Sequence, residues 1–150
     1  MLRFLQVNEN KPLALMKAGE AMTKGAAVVK DYTDGTVDKA TATGGIFLVD
    51  KANNYDGVNA AVPQNDGGFE NIAQGEIVIT IPTYVGERYA TSEVTATSLT
   101  VGAYLKASAG KFVAGAKDDT CNFVYQGVYD DPCGKTLYII EVVAPHTLTA

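Results

Sequence analysis

The sequence predicts an all-β chain: a small β-barrel, or a β-tulip or sandwich, built on a hairpin that is written twice. Three observations predict it. Met22-Thr23-Lys24-Gly25-Ala26-Ala27-Val28 and Leu99-Thr100-Val101-Gly102-Ala103-Tyr104-Leu105 share Thr, Gly and Ala in one register, 77 residues apart. Each copy runs into a glycine turn, Tyr32-Thr33-Asp34-Gly35 or Ser108-Ala109-Gly110, and then into a second alternating run, which is how a hairpin reads in sequence. Phe47-Leu48-Val49 and Phe123-Val124-Tyr125 continue the echo, and helical periodicity is nowhere sustained. Two copies of one unit can bury their apolar faces together, so the chain is expected to form one pseudo-symmetric body.

Taken in order, residues 1–11 form an extended N-terminal arm, broken from the next segment by Asn8-Glu9-Asn10-Lys11-Pro12. Two readings of it stand: an ordinary edge strand, or a segment that docks on another subunit. Residues 12–150 form the single barrel-like domain. Leu13 to Met22 suits strand and turn better than helix, because Gly19 costs a helix about 1 kcal/mol. Ala26 to Lys30 is a strand, Asp31 to Gly35 its turn and Thr36 to Thr41 its return; Ile46 to Val49 is a short buried strand. From about 50 to 71 the chain turns polar and glycine-rich, a long loop of the kind that carries contacts. Glu76 to Pro82 is the clearest strand, with Ile77, Ile79 and Ile81 on one face and Val78 and Thr80 on the other. Arg88 to Thr100 and Cys121 to Val128 are β-compatible. Leu137 to Ala144 closes the fold, and Pro145 is expected to stop it.

A length of 150 residues bounds the chain to one domain, and 47% hydrophobic residues are enough to fill its core. The net charge is -5 and the cations are scattered, which argues against direct nucleic-acid binding. The N-terminus lacks the apolar run of a signal peptide, and no segment approaches the roughly twenty apolar residues a membrane helix needs. Synthesis in a cytoplasm is expected, with Cys121 and Cys133 reduced and half-buried, although a disulfide across a bend at Asp130-Asp131-Pro132 stays open.

Candidate chemistry is sparse. His146 is the one histidine and, just after Pro145, reads as a solvated tail residue. Ser92, Ser98 and Ser108 lack a nucleophile-elbow pattern. Asp31, Asp34, Asp38, Asp118-Asp119 and Asp130-Asp131 do not follow the calcium-loop spacing. A paired-carboxylate glycosidase would lack both Trp and a placed His. No enzymatic activity, cofactor or metal is therefore expected.

The repeated units, Thr23 to Val28 through Gly35 to Ala40 and Thr100 to Leu105 through Gly110-Lys111-Phe112, resemble the small head-decoration, or cement, proteins of tailed bacteriophages. That resemblance implies a β-barrel or β-tulip that forms a homotrimer on the outer surface of the virion, bridging capsomers of the major capsid protein. Under it, Leu2, Phe4, Leu5 and Val7 are the candidate capsid-docking residues, and Gly25, Ala26, Gly102 and Ala103 the candidate oligomer contacts. The alternative is a carbohydrate- or receptor-binding β-module of a viral fibre, with Tyr84, Tyr89, Tyr104 and Tyr125 as candidate platform residues.

Overall fold

The computed structural model describes residues 1–41, 44–52 and 70–150. Most of the loop expected at about 50–71 lies outside the described residues. Thirteen strands are described: β1 (Leu2–Gln6), β2 (Ala14–Ala18), β3 (Met22–Thr23), β4 (Ala27–Asp31), β5 (Thr36–Lys39), β6 (Phe47–Lys51), β7 (Asn71–Ile72), β8 (Ile77–Pro82), β9 (Arg88–Thr91), β10 (Tyr104–Ser108), β11 (Lys111–Ala114), β12 (Thr120–Asp130) and β13 (Thr136–Thr147). Strands β2-β5-β4-β6-β8 close into a barrel, β1-β9-β13-β12-β10-β11 form a six-stranded sheet, and β3 pairs with β7. The chain is all-β and its first half is a small closed barrel.

The sequence repeat is a repeat of hydrogen bonds. In the first copy Ala27 opposes Leu48 and Val28 opposes Phe47; in the second Tyr104 opposes Val124 and Leu105 opposes Phe123. Gly25 N–H donates to Val49 O as Gly102 N–H donates to Tyr125 O, both at 2.8 Å. Ala26 N–H reaches Thr23 O and Ala103 N–H reaches Thr100 O, both at 3.0 Å. The barrel closes through a parallel pair, Ala18 opposite Val37, and the larger sheet carries the corresponding parallel bridge between Val94 and Phe112. Just beyond, Gly19 N–H donates to Val37 O at 2.9 Å and Thr95 N–H to Phe112 O at 2.8 Å. Each repeat thus traces one circuit of five strands, which we call barrel 1 (β2 to β8) and barrel 2 (β9 to β13), with β1 added to the outside of β9.

Period-2 alternation decides what each barrel buries. Val28, Val37, Val49 and Val78 fill barrel 1 with Ala18, all at 2% exposure or less. Their counterparts in barrel 2 are larger: Leu105, Phe112 and Tyr125, with Phe123 edge-on to Phe112 at 4.7 Å between ring centroids. The outer wall of barrel 1, through Ala27, Ala40, Leu48 and Ile81, belongs to the same core cluster as the inside of barrel 2. The single body is therefore a closed barrel fused to a second, barrel-like sheet that one parallel bridge brings round, with the inside of the second and the outer wall of the first in one core cluster and the inside of barrel 1 in another.

Several expectations are corrected by the packing. Pro145 does not stop β13: the strand runs on to Thr147 because Cys121 opposes His146 while Phe123 opposes Val142, leaving Pro145 in a bulge where it needs no amide donor. His146, though exposed, is accordingly no tail residue but part of β13, stacked on Tyr104 at 4.7 Å between ring centroids. The two cysteines lie at opposite ends of the β12–β13 hairpin, Cys121 buried and Cys133 exposed, and both are free thiols. The N-terminal segment is no free arm, since Leu2 to Gln6 pair with β9 as an edge strand.

Candidate docking surface

Strand β1 is held at both ends. Arg3 Nε and Nη2 reach Asp131 Oδ1 and Oδ2 at 2.6 and 3.2 Å, and the guanidinium, together with hydrogen bonds from Cys133, holds that carboxyl well below the usual carboxylate range. After β1, Lys11 is buried with Glu87, at 7% and 4% side-chain exposure and 2.6 Å between Nζ and Oε1. Lys11 Nζ also donates to Pro82 O at 2.7 Å and to the Tyr89 hydroxyl, and lies over the Tyr84 and Tyr89 rings. Glu87 accepts further from the Asn8 and Tyr84 amides at 2.9 and 2.6 Å. Burial alone would raise the Glu87 pKa; the hydrogen bonds from Lys11, Asn8 and Tyr84 outweigh it and pull the carboxyl below its usual value. Burial beside Glu87 pushes the Tyr89 phenol far up, so the hydroxyl stays protonated.

On this pinned frame the four candidate docking residues divide. Leu2 is 6% exposed and sits in the core, so it is not available for docking. Val7 is partly buried against the same cluster. Phe4 is 49% exposed, one edge packed on Tyr89 at 5.7 Å, and Leu5 is 38% exposed. No described strand pairs with the outer edge of β1, whose Leu2 and Phe4 backbone groups point away from β9, because Ser92 N–H bonds Met1 O and the ladder alternates from there. A second apolar strip lies on the outer wall of barrel 1, where Leu15 opposes Ile79 and is flanked by Leu13 and Ile77.

The candidate oligomer contacts divide as well. Gly25 and Ala26 are buried inside the chain; a Cβ on Gly25 would meet Thr91 Oγ1 at 2.4 Å and Met1 O at 2.9 Å. The close approach that small residues allow is here between the two barrels, and Thr91 Oγ1 seals it by donating to Gly25 O at 2.9 Å. Ala103 is half-buried against its own core, and Gly102 alone is openly exposed.

Of the four tyrosines, Tyr89 and Tyr125 are core residues; Tyr84 and Tyr104 remain nearer the surface on different elements. The acidic residues hold turns: Asp31 accepts from Thr33 N–H, and Asp119 from Ala116 N–H and Lys106. Among the described residues no three His, Cys, Asp or Glu side chains converge as a metal would require, and no helix is long and apolar enough to cross a membrane. A shallow cleft of about 300 Å³ follows the seam between the barrels, lined by Thr23, Lys39, Asn71, Glu93 and Lys111. Lys39 there is engaged by Glu20 at 3.7 Å. No known family model, curated protein or solved structure matches the chain.

Proposed function

We propose that this chain is a structural protein that decorates the outer surface of an icosahedral phage capsid, docking on the major capsid protein and bridging neighbouring capsomers. In this reading it is made in the host cytoplasm, acts without catalysis, and ends on the virion as a homotrimer. The observation that carries the reading is β1: an edge strand with two exposed apolar side chains, Phe4 and Leu5, clamped to a rigid body by Arg3–Asp131 and Lys11–Glu87. An edge of this kind adds a strand from a partner through main-chain hydrogen bonds, while the side chains give selectivity. Clamping the strand beforehand lowers the entropy lost on docking, and repeating a modest contact around a threefold axis multiplies its strength. The fibre-module alternative has less behind it, because two of its four tyrosines are buried.

The test is titration of purified protein onto shells that lack it, comparing wild type with Leu5→Asp and Phe4→Ser. Both residues are exposed, and unchanged far-ultraviolet circular dichroism verifies that the variants fold. A loss of about tenfold or more in affinity is expected. Unchanged occupancy by both variants, or wild type that binds arrayed glycans and no shell, overturns the assignment.

A further inference from the structure

The two barrels are joined by a contact whose counterpart is left unused. At the base of the first hairpin, Ala40 N–H donates to Ala27 O at 2.9 Å, but the reciprocal pair is opened. Into that mouth fits Gly110, the last turn residue of the second hairpin: Ala27 N–H donates to Gly110 O at 2.8 Å and Gly110 N–H to Ala40 O at 3.0 Å. Gly110 has φ +81°, and the Lys39 stem covers it so closely that a Cβ would lie 2.8 Å from Lys39 Cγ.

Each part of this contact recurs in the other repeat. Gly35 ends the first hairpin's turn, as Gly110 ends the second's, with φ +69° and nothing within 4 Å of its Cβ direction. Gly115 N–H donates to Tyr104 O at 2.9 Å, the counterpart of Ala40 and Ala27. Among the described residues none is hydrogen-bonded into this second mouth, and its two residues are half-exposed where Ala27 and Ala40 are fully buried. Were the barrels related by a twofold axis, both contacts would form within the chain. Only one does, so the relation is head-to-tail, and each molecule keeps one spare tip and one spare mouth.

We infer that the tip of barrel 1 seats in the mouth of barrel 2 of a second copy, making this chain self-associate head-to-tail. The side chains suit that occupant. Tyr32, at the tip, is 81% exposed, and the mouth is rimmed by the stacked Tyr104–His146 pair and by Leu148, which lies against Gly115. Asp34 on the tip meets Lys117 beside the mouth with opposite charge. A head-to-tail contact closes into a ring or runs on as a filament; three copies in a ring would present six barrels in pseudo-equivalent places. The inference concerns the free protein and holds whether or not a capsid is its partner.

Sedimentation velocity at about 100 µM, a concentration that populates weak contacts, tests it. Wild type is expected as an oligomer, Tyr32→Ala (tip lost) and Ala114→Glu (mouth spoiled) each as monomers, and an equal mixture of the two variants as a one-to-one dimer and nothing larger. Both positions are exposed, and unchanged far-ultraviolet circular dichroism verifies folding. A monomeric wild type, with the mouth capped by its own Leu148, overturns the inference. So do variants that associate like wild type, or a mixture that stays monomeric.

Discussion

The duplicated hairpin supplies a substitution with its own internal control. Replacing Gly110 by Ala imposes two costs: a left-handed backbone on a residue with a Cβ, about 1 to 2 kcal/mol, and insertion of that Cβ among the Lys39 stem atoms, 2.8 Å from Cγ and 3.2 Å from both Cβ and Cδ. Of these, Cβ moves only with the strand that carries it, while Cγ and Cδ can give way only by rotating the side chain out of its present rotamer. Overpacking of this kind costs about 1 to 3 kcal/mol. Gly35→Ala imposes the first cost alone, since its φ of +69° is similar and its surroundings are empty. Urea unfolding at dilute concentration, with equal m-values for both variants, isolates the difference. Gly110→Ala is expected to be the less stable by about 1 to 3 kcal/mol. If the two agree within about 0.5 kcal/mol, the margin within which distant sites add, Gly110 does not lock the barrels and the inferred counterpart contact loses its basis.

Other expectations come from the buried groups. Lys11→Met strands the Glu87 carboxylate and should cost about 3 to 5 kcal/mol at neutral pH. The pH dependence should also weaken. With Lys11 present, the Glu87 pKa is depressed, so its stabilisation is complete above the ordinary value of 4.5 and fades as pH falls through the folded value. Without Lys11, burial is opposed only by the Asn8 and Tyr84 amides, so the depression of that pKa, and with it the stability lost on acidification below about pH 4.5, should shrink; a variant whose urea midpoint falls with acid as steeply as wild type contradicts this. Thr91→Val removes the donor to Gly25 O and the acceptor for Glu93 N–H at 3.1 Å, and should cost about 1 to 3 kcal/mol in thermal unfolding. A thiol reagent should modify exposed Cys133 at once and Cys121 only on unfolding, because Cys121 is buried and burial pushes its thiol up. The intact mass under oxidising conditions should show no internal disulfide.

Much of the fold could be read from residue order because it is carried by local signals. Gly25 and Gly102, the two glycine turns and the apolar triplets at Phe47 and Phe123 mark a hairpin plus a third strand, and those strands pair as the echo requires. Ile77 to Pro82 alternates as expected, although its isoleucine face turns outward and is buried at Ile81 only because barrel 2 packs there. What residue order did not reveal depends on long-range partners. Leu2 to Gln6 looks like an arm until β9 is beside it. Lys11 and Glu87 are 76 positions apart, with no pattern that pairs them. Pro145 reads as a terminator unless the bulge opposite Asn122 is known. Gly25 and Ala26 stand among the candidate oligomer contacts, but they serve the seam within the chain rather than a boundary between chains.

The differences between the repeats say more about association than their likeness does. On the wall that faces barrel 2, Leu48 and Ile81 are at most 1% exposed. The aligned positions of barrel 2 are Val124 and Glu141, and Glu141 is engaged on the surface by Arg88 at 3.2 Å and Gln126 at 2.8 Å. A third barrel could not find there the apolar wall that binds the first two, so the seam itself does not propagate. What can recur between molecules is the narrower part of the contact, a hairpin tip in a hairpin mouth, without the large apolar burial behind it. Contacts of that size are weak singly and reversible, so an assembly formed through the inferred tip-and-mouth contact would draw its strength from repetition rather than from any one interface.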